Sequence, residues 1–528
     1  MPSFDSLAET ARRALAAGDL AGAEAQCRRI LSAAPGDALV WALASEIALR
    51  GKKGDEALAS ARRAVEADPL LLLGHVMQAK ALVHRGDWAG ALAAAETAAR
   101  IARGPAEALD GLGAIFGMLG RHRQALSWFR RATADAPAVP QFLFNLAATE
   151  RILGDLEAAE AHCDALIRID PRAYLAHSLR SDLRVQTAER NHIAEMEALV
   201  GKAGFGWQGE VVLRFALGKE YEDLGDDRNS FRQIAAGAGL HRRNISYNVG
   251  TDIGVIDRIM RTQTRSWLAG SRPGSEPAAP IFVTGLPRSG TTVIERIIAS
   301  HSAVDSVGEI GIFPVEVARA VRAAQASSGA VGTGPDPERL GRRYIDGVTA
   351  FAAPRKRSRR FVDKTLQNYL YCGLIHAALP EAKIILVRRD PLDTCYALYK
   401  THFAGTFPFS YDLGELAEYY LAFHRLAEHW RRVLPPEILR EVHYEAIIAD
   451  PMAESRRLLE FLELPWEDQV TRFHESPAPS ATASAVQIRR PLHADSVGRW
   501  RRHAQDLAPL RHRLAAALPA AEPARPGL

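Results

Sequence analysis

Cysteine is scarce in this chain. Its 528 residues hold four, Cys27, Cys163, Cys372 and Cys395, none at metal-ligand spacing. So few in so long a chain exclude a disulfide-stapled scaffold and fit a reducing compartment. Long apolar runs are missing as well: no stretch approaches the ~20 apolar residues of a membrane-spanning helix. The N-terminal segment MPSFDSLAETARRALAAGD breaks its apolar pattern with Asp5, Glu9, Arg12 and Arg13, which reads against a signal peptide. An excess of one charge sign is also missing. Lys and Arg number 66 against 62 Asp and Glu, a net charge of +4, without the concentrated basic face of a nucleic-acid protein. A soluble, cytoplasmic protein is the expectation.

What the chain has is length and a repeat. Its length exceeds what one hydrophobic core organises, so two or more domains are expected. Pro35, Pro69, Pro137 and Pro171 stand on a 34-residue ladder, broken only at Arg103. A second ladder runs through Gly18, Gly86, Gly120 and Gly154, with Lys52 on its weak rung, and a third through Ala23, Ala57, Ala91, Ala125 and Ala159. Gly suits the turn between paired helices, Ala a close helix crossing, and Pro the end of the second helix, where its missing N–H stops propagation. Segments such as GDLEAAEAHCDALIRIDP carry apolar residues at helical spacing. A 34-residue helix–turn–helix unit resembles the tetratricopeptide repeat (TPR). The array is assigned to residues 1–175, with 176–270 as degenerate capping helices and connector, including a further pair near 213–237. Cys27 and Cys163 share one repeat position and read as core residues. The groove of such an array binds peptides or partners, or else the array supports the catalytic domain or self-association.

Breakers at 271–280 mark a linker. Beyond it the pattern alternates: a buried strand at Ile281–Thr284, a helix over 291–300, and strands at Phe361–Asp363 and Lys383–Val387. Strands alternating with helices predict an α/β domain with a central parallel sheet over 281–515, and 516–528 reads as a disordered tail. The basic run Pro354–Arg360 reads as solvated or as an attractor for anions.

Gly285-Leu-Pro-Arg-Ser-Gly290-Thr-Thr has P-loop spacing between a strand and a helix, so its backbone N–H groups and the helix N-terminus form an anion cradle. An NTPase has Lys directly after the second Gly; here that residue is Thr291, and the positive charge comes from Arg288 inside the loop. The missing Lys argues against ATP or GTP hydrolysis. Further on, Arg389 follows the KIILV strand and enters a helix, a place where an Arg meets a phosphate at the sheet edge.

Pro287-Arg288-Ser289-Gly290-Thr291-Thr292 resembles the 5′-phosphosulfate loop of sulfotransferases that use 3′-phosphoadenosine 5′-phosphosulfate (PAPS). The whole chain resembles the bacterial TPR-containing sulfotransferases, its catalytic half being similar to the tyrosylprotein branch. The resemblance implies PAPS as donor, PAP as product, no metal, and a P-loop-like sulfotransferase fold. It implies donor contacts from Pro287, Arg288, Ser289, Gly290, Thr291, Thr292 and, at the 3′-phosphate, Arg389. The hydroxyl residue expected eight positions on is Ala397 here, with Thr394 or Tyr396 as candidate substitutes. It implies Glu309, in Val307-Gly308-Glu309, as the base for the acceptor hydroxyl, and Lys364 with Arg288 as stabilisers of the leaving group. Tyr444 falls where the family has a Tyr near the adenine, with core packing the alternative reading. Ser484 and Arg490 fall where the family has a PAPS-contacting Ser and a basic residue. The acceptor is a hydroxyl on a peptide, sugar or small molecule, with a protein partner possible at the TPR groove. The rival readings are a P-loop kinase or NTPase and a non-catalytic TPR scaffold with a relic transferase domain.

Overall fold

The computed structural model describes residues 4–518 except 102, 203–205, 272, 275, 277, 329–334, 353–359, 476–477, 480–487 and 489–491. The chain divides into two compact units, residues 1–153 with 345–353, and residues 154–344 with 354–528. The division by packing falls within the fifth repeat pair, between Leu153 and Gly154. The proposed tail lies mostly outside the described residues; a helix at Ala508–Ala517 runs into its start. The basic run 354–359 also lies outside them.

The first unit is helical. Helices Phe4–Ala16 and Leu20–Ala33 form the first pair, and Ala38–Arg50 with Gly54–Ala67 the next. The pattern continues through Leu72–His84, Trp88–Ile101, Ala106–Met118, His122–Asp135 and Pro140–Leu153. The ladders do what their residue types demand. Gly18, Gly86, Gly120 and Gly154 have φ of +81°, +63°, +70° and +92°, and Lys52 on the weak rung is also left-handed at +58°. Behind Gly18, Gly86 and Gly154 stands an Asp (19, 87, 155) that accepts from a backbone N–H three residues on, capping the second helix. Ala23, Ala57, Ala91 and Ala125 are fully buried, so nothing larger fits between the paired helices. Ala125→Leu is expected to destabilise the first unit by about 1–3 kcal/mol through overpacking. A lower urea midpoint with an unchanged slope would verify this.

The second unit opens with helix Leu156–Ile169. The 34-residue register then lapses. Helix Tyr174–Asp182 is followed by a short Ile193–Glu197 helix and a new pair, Gly206–Asp223 and Asp227–Arg243. That pair keeps the repeat's turn chemistry, with Gly225 at φ +77° and Asp226 capping Asn229.

Residues 281–515 contain a five-stranded sheet: β1 (Ile281–Thr284), β2 (Asp305–Gly308), β3 (Phe361–Asp363), β4 (Lys383–Arg388) and β5 (Leu439–His443). All pairings are parallel, in the order β2-β3-β1-β4-β5. β1 and the middle of β4 are buried on both faces, as the interior strands of a parallel sheet must be. β2 and β5 lie at the edges, and their mixed sequences DSVG and LREVH carry no apolar run for a sequence reading to find. The chain leaves β1 toward β2 and β3 on one side and later adds β4 and β5 on the other. The crevice where these directions diverge lies at the C-terminal ends of β1 and β4, the usual place for a ligand in an open α/β sheet. Among the described residues no helix is long and apolar enough to cross a membrane.

Candidate active site

The loop from β1 runs straight into helix Thr291–Ala299. Gly290 is its N-cap at φ +100°, and a Cβ there would sit 2.4 Å from the Tyr444 ring, so the position admits only glycine. Arg288 also has a left-handed backbone, φ +66°. A long side chain in that region costs about 1 kcal/mol or more and persists where surroundings impose it, most often at functional sites. Burial, then the neighbouring Arg389, pushes the Arg288 guanidinium below its usual range, while Asp182 and Glu222 oppose that. The loop thus crowds positive charge at a helix N-terminus, a setting that favours an anion.

Arg389 comes from the C-terminal end of β4, beside β1. Its Nη1 donates to the Arg288 carbonyl at 3.1 Å and its Nη2 to the Ser496 carbonyl, and its guanidinium lies 5.1 Å from the Tyr444 ring centroid. The adjacent Arg388 is engaged elsewhere, held by Glu428, Glu441 and His424 at 3.2, 2.8 and 2.6 Å. Only the second Arg of the pair faces the cleft.

That cleft is lined by Arg288, Gly290, Thr291, Thr292, Arg389 and Tyr444, all singled out from the sequence. Pro287 and Ser289 lie in the same loop, both buried. The cleft is also lined by residues the sequence reading missed: Lys400, Ser496 and Arg499. Ala397 lines it too, with no hydroxyl to offer. Its candidate substitutes are already hydrogen-bonded: Thr394 Oγ1 donates to the Arg389 carbonyl at 3.4 Å, and Tyr396, which also lines the cleft, has its hydroxyl on Glu222 and His503. Ser496, bonded to the Tyr444 hydroxyl at 3.0 Å, brings a hydroxyl into the same cleft from far along the chain.

Lys400 had a sequence signal. Asp393, Tyr396, Ala397 and Lys400 follow one another at helical spacing after β4, on one face of Pro391–Tyr399 and its C-cap. Asp393 accepts from the Gly498 and Trp500 N–H groups at 2.6 and 3.2 Å, which holds the Arg499 turn against that helix. Burial pushes the Lys400 ammonium down to about 8, a shift that Glu222 opposes and that Arg499 and Arg288 reinforce.

Glu309 and Lys364 come from the neighbouring ends of β2 and β3. They form an ion pair, with Lys364 buried and the Glu309 side chain 42% exposed. The β3 end is rigid: buried Asp363 accepts from the Tyr344 hydroxyl at 2.9 Å and the Thr365 N–H at 2.8 Å. The pair does not line the cleft formed by the loop and Arg389. Ser484 and Arg490 lie outside the described residues.

Residues 280–468 match the sulfotransferase family, and residues 9–70 and 111–174 match the tetratricopeptide repeat. The chain thus joins segments that match the tetratricopeptide repeat to a segment that matches the sulfotransferase family. An uncharacterised protein of Aquifex aeolicus is 30% identical over 400 residues, 73% of this chain and 52% of that relative. Protein-tyrosine sulfotransferase A of Caenorhabditis elegans is 24% identical over 243 residues, 42% of this chain and 60% of its own length. Protein-tyrosine sulfotransferase 1 of Danio rerio is 26% identical over 243 residues, 42% of this chain and 65% of its own length. The chain spans only 52% to 65% of these three relatives. The sulfotransferase-family match contains the anion loop, the Glu309–Lys364 pair, Arg389, Lys400 and Tyr444, but ends before Ser496 and Arg499. It begins after Glu222.

Proposed function

We propose that the sulfotransferase-family domain moves a sulfuryl group from PAPS to an acceptor hydroxyl and releases PAP. One observation carries the reading: Arg288 and Arg389, from the ends of adjacent strands, converge on a single cleft at a loop with Thr291 in the place of an NTPase lysine. The residues fit a bisphosphorylated donor. Ser289 Oγ and Arg389 Nε are buried and lack a hydrogen-bond partner among the described residues, and buried polar atoms are seldom left so unless something else binds there.

When bound, the donor supplies an activated sulfuryl group. The loop N–H groups, with Ser289, Thr291 and Thr292, hold its 5′-phosphosulfate; Arg389 faces the 3′-phosphate, and Tyr444 the adenine. Ser484 and Arg490 join these contacts on the strength of the family resemblance. Glu309 takes the acceptor's hydroxyl proton as the new O–S bond forms. Lys364 and Arg288 stabilise the negative charge left on the phosphate oxygen as the old S–O bond breaks. The Glu309–Lys364 ion pair supports this division of labour, since a carboxylate and an ammonium side by side suit a base and a charge-stabilising cation. The names of the two animal relatives support a tyrosine hydroxyl on a peptide as acceptor over a sugar or small molecule, and the TPR groove suits such a peptide or a partner protein.

PAP at about 100 times its Kd is expected to stabilise the full chain by about 2.7 kcal/mol, and ATP with Mg²⁺ to leave it unchanged. Thermal unfolding with each ligand separates the readings. Stabilisation by ATP–Mg²⁺ and not by PAP would establish the kinase or NTPase alternative instead.

A further inference from the structure

Glu222 lies on helix Gly206–Asp223, well before the sulfotransferase-family match begins, yet its carboxylate sits among the cations of the donor cleft. Lys400 Nζ reaches both of its oxygens, at 2.8 and 2.7 Å. Arg499 Nε approaches Oε1 at 3.1 Å, and the Tyr396 hydroxyl donates to the same oxygen at 3.1 Å. The carboxylate is 8% exposed. Three separate stretches of chain, at 222, 400 and 499, therefore meet at one buried group.

The chemistry of that junction is asymmetric. Burial pushes the Glu222 carboxyl up, but Lys400 and Arg499 outweigh it and hold it at about 2. Lys400 is pushed the other way by burial, by Arg499 and by Arg288, with one carboxylate opposing all three. Two cations brought this close in a buried site repel each other, and each favours loss of the other's proton or its withdrawal toward water. A carboxylate between them removes that penalty. The contact of Arg499 with the carboxylate is through Nε, the inner nitrogen of its guanidinium.

We infer that Glu222 is a positioning residue for the donor, holding Lys400 and Arg499 together as cations in the cleft, so that the helical connector completes a site the sulfotransferase-family segment does not complete alone. This rests on the donor reading above. The groups facing Lys400 are Glu222 from the connector, Arg288 from the loop, Arg499 and His503 from the C-terminal turn, and Tyr396 from its own helix, whose ring lies 5.1 Å from Nζ. Burial keeps His503 below the usual histidine range, so at neutral pH and above it stays uncharged.

The test compares the full-length protein with Glu222→Gln and Glu222→Asp variants in PAP titrations from about pH 6.5 to 9.5. In the parent, PAP affinity falls as pH rises through the Lys400 titration. In Glu222→Gln, affinity at pH 7.5 drops by about tenfold and the fall begins about one pH unit lower. Glu222→Asp, which keeps the charge, restores the parent profile. Equal weakening at every pH would reduce Glu222 to a structural role, and tighter PAP binding would make it a competitor for the cations; either result overturns the inference. NMR titration of ¹³C-methylated lysines, assigned with a Lys400→Arg variant, needs no donor. An unmoved Lys400 midpoint in Glu222→Gln overturns the inference whether or not PAP binds. Failure of PAP to bind the parent protein counts against the donor reading alone.

Discussion

Glu309→Gln is expected to retain PAP binding and to lose sulfuryl transfer by about 10²–10⁴-fold, the range that removal of a general base produces. Gln keeps the size of the side chain and can still accept a hydrogen bond from Lys364, but it cannot take a proton at working pH. The Glu309 side chain is 42% exposed but Lys364 is buried, so the neutral Gln leaves a buried ammonium without its counter-charge; the variant is expected to be less stable than the parent, and the assays are made well below its unfolding temperature. The loss should therefore appear in kcat while the Kd for PAP holds. Radiolabelled transfer from PAPS to a tyrosine peptide, beside calorimetric PAP binding, gives both numbers. A variant that transfers at the parent rate removes Glu309 as the base. A variant that loses PAP binding as well makes the Glu309–Lys364 pair part of the donor site and not of the proton transfer.

Arg288→Gly is expected to stabilise the protein while it weakens donor binding and slows transfer. Two terms favour the glycine in the fold. The backbone at φ +66° suits Gly and strains Arg, a difference of roughly 1 kcal/mol, and removal of the guanidinium relieves its crowding against Arg389, which is part of what pushes it below its usual range. Glycine's greater freedom in the unfolded chain offsets part of this gain. The donor side has no such compensation. A guanidinium in the anion loop meets charge on the phosphosulfate and on the leaving oxygen, and loss of one such donor costs about 10²–10³ in rate. A higher Tm without ligand, together with a smaller PAP-induced shift, would show a residue kept for chemistry at the expense of stability. A lower Tm with PAP binding intact would make Arg288 a structural residue.

The repeat was the most legible part of the chain because each of its rules is local. A left-handed turn needs Gly, a helix end tolerates Pro, and a close crossing needs Ala, so a 34-residue period carries its own structural meaning. Even the exception obeyed the rule: Lys52, on the weak rung, adopts the glycine-like backbone of its ladder. The buried strands β1 and β4 were equally legible, since both faces are covered and their sequences are continuously apolar. The edge strands β2 and β5 were not, because half-exposed short strands lack any such run. The lapse of the array after helix Tyr174–Asp182 was legible only as a loosening of the pattern; what replaces it is set by packing against residues far away in sequence.

The candidate site divides along the same line. The sequence by itself determined the anion loop, the missing NTPase lysine and the places of Arg288, Arg389 and Lys364, because each sits at a strand end whose spacing to the next helix is a local matter, whereas Glu309 follows the illegible strand β2 and was reached only through the family resemblance. Only the tertiary structure decided which Arg of the 388–389 pair faces the cleft, that a hydroxyl enters beside Ala397 from Ser496, and that Lys400 and Arg499 share one carboxylate. Those facts depend on side chains separated by 36 residues or more in the chain, and no local period encodes such a meeting. Glu222 is the clearest case. On its helix it reads as one more charge in a polar turn, and only the packing of the connector beside the sheet places it among the cations of the cleft.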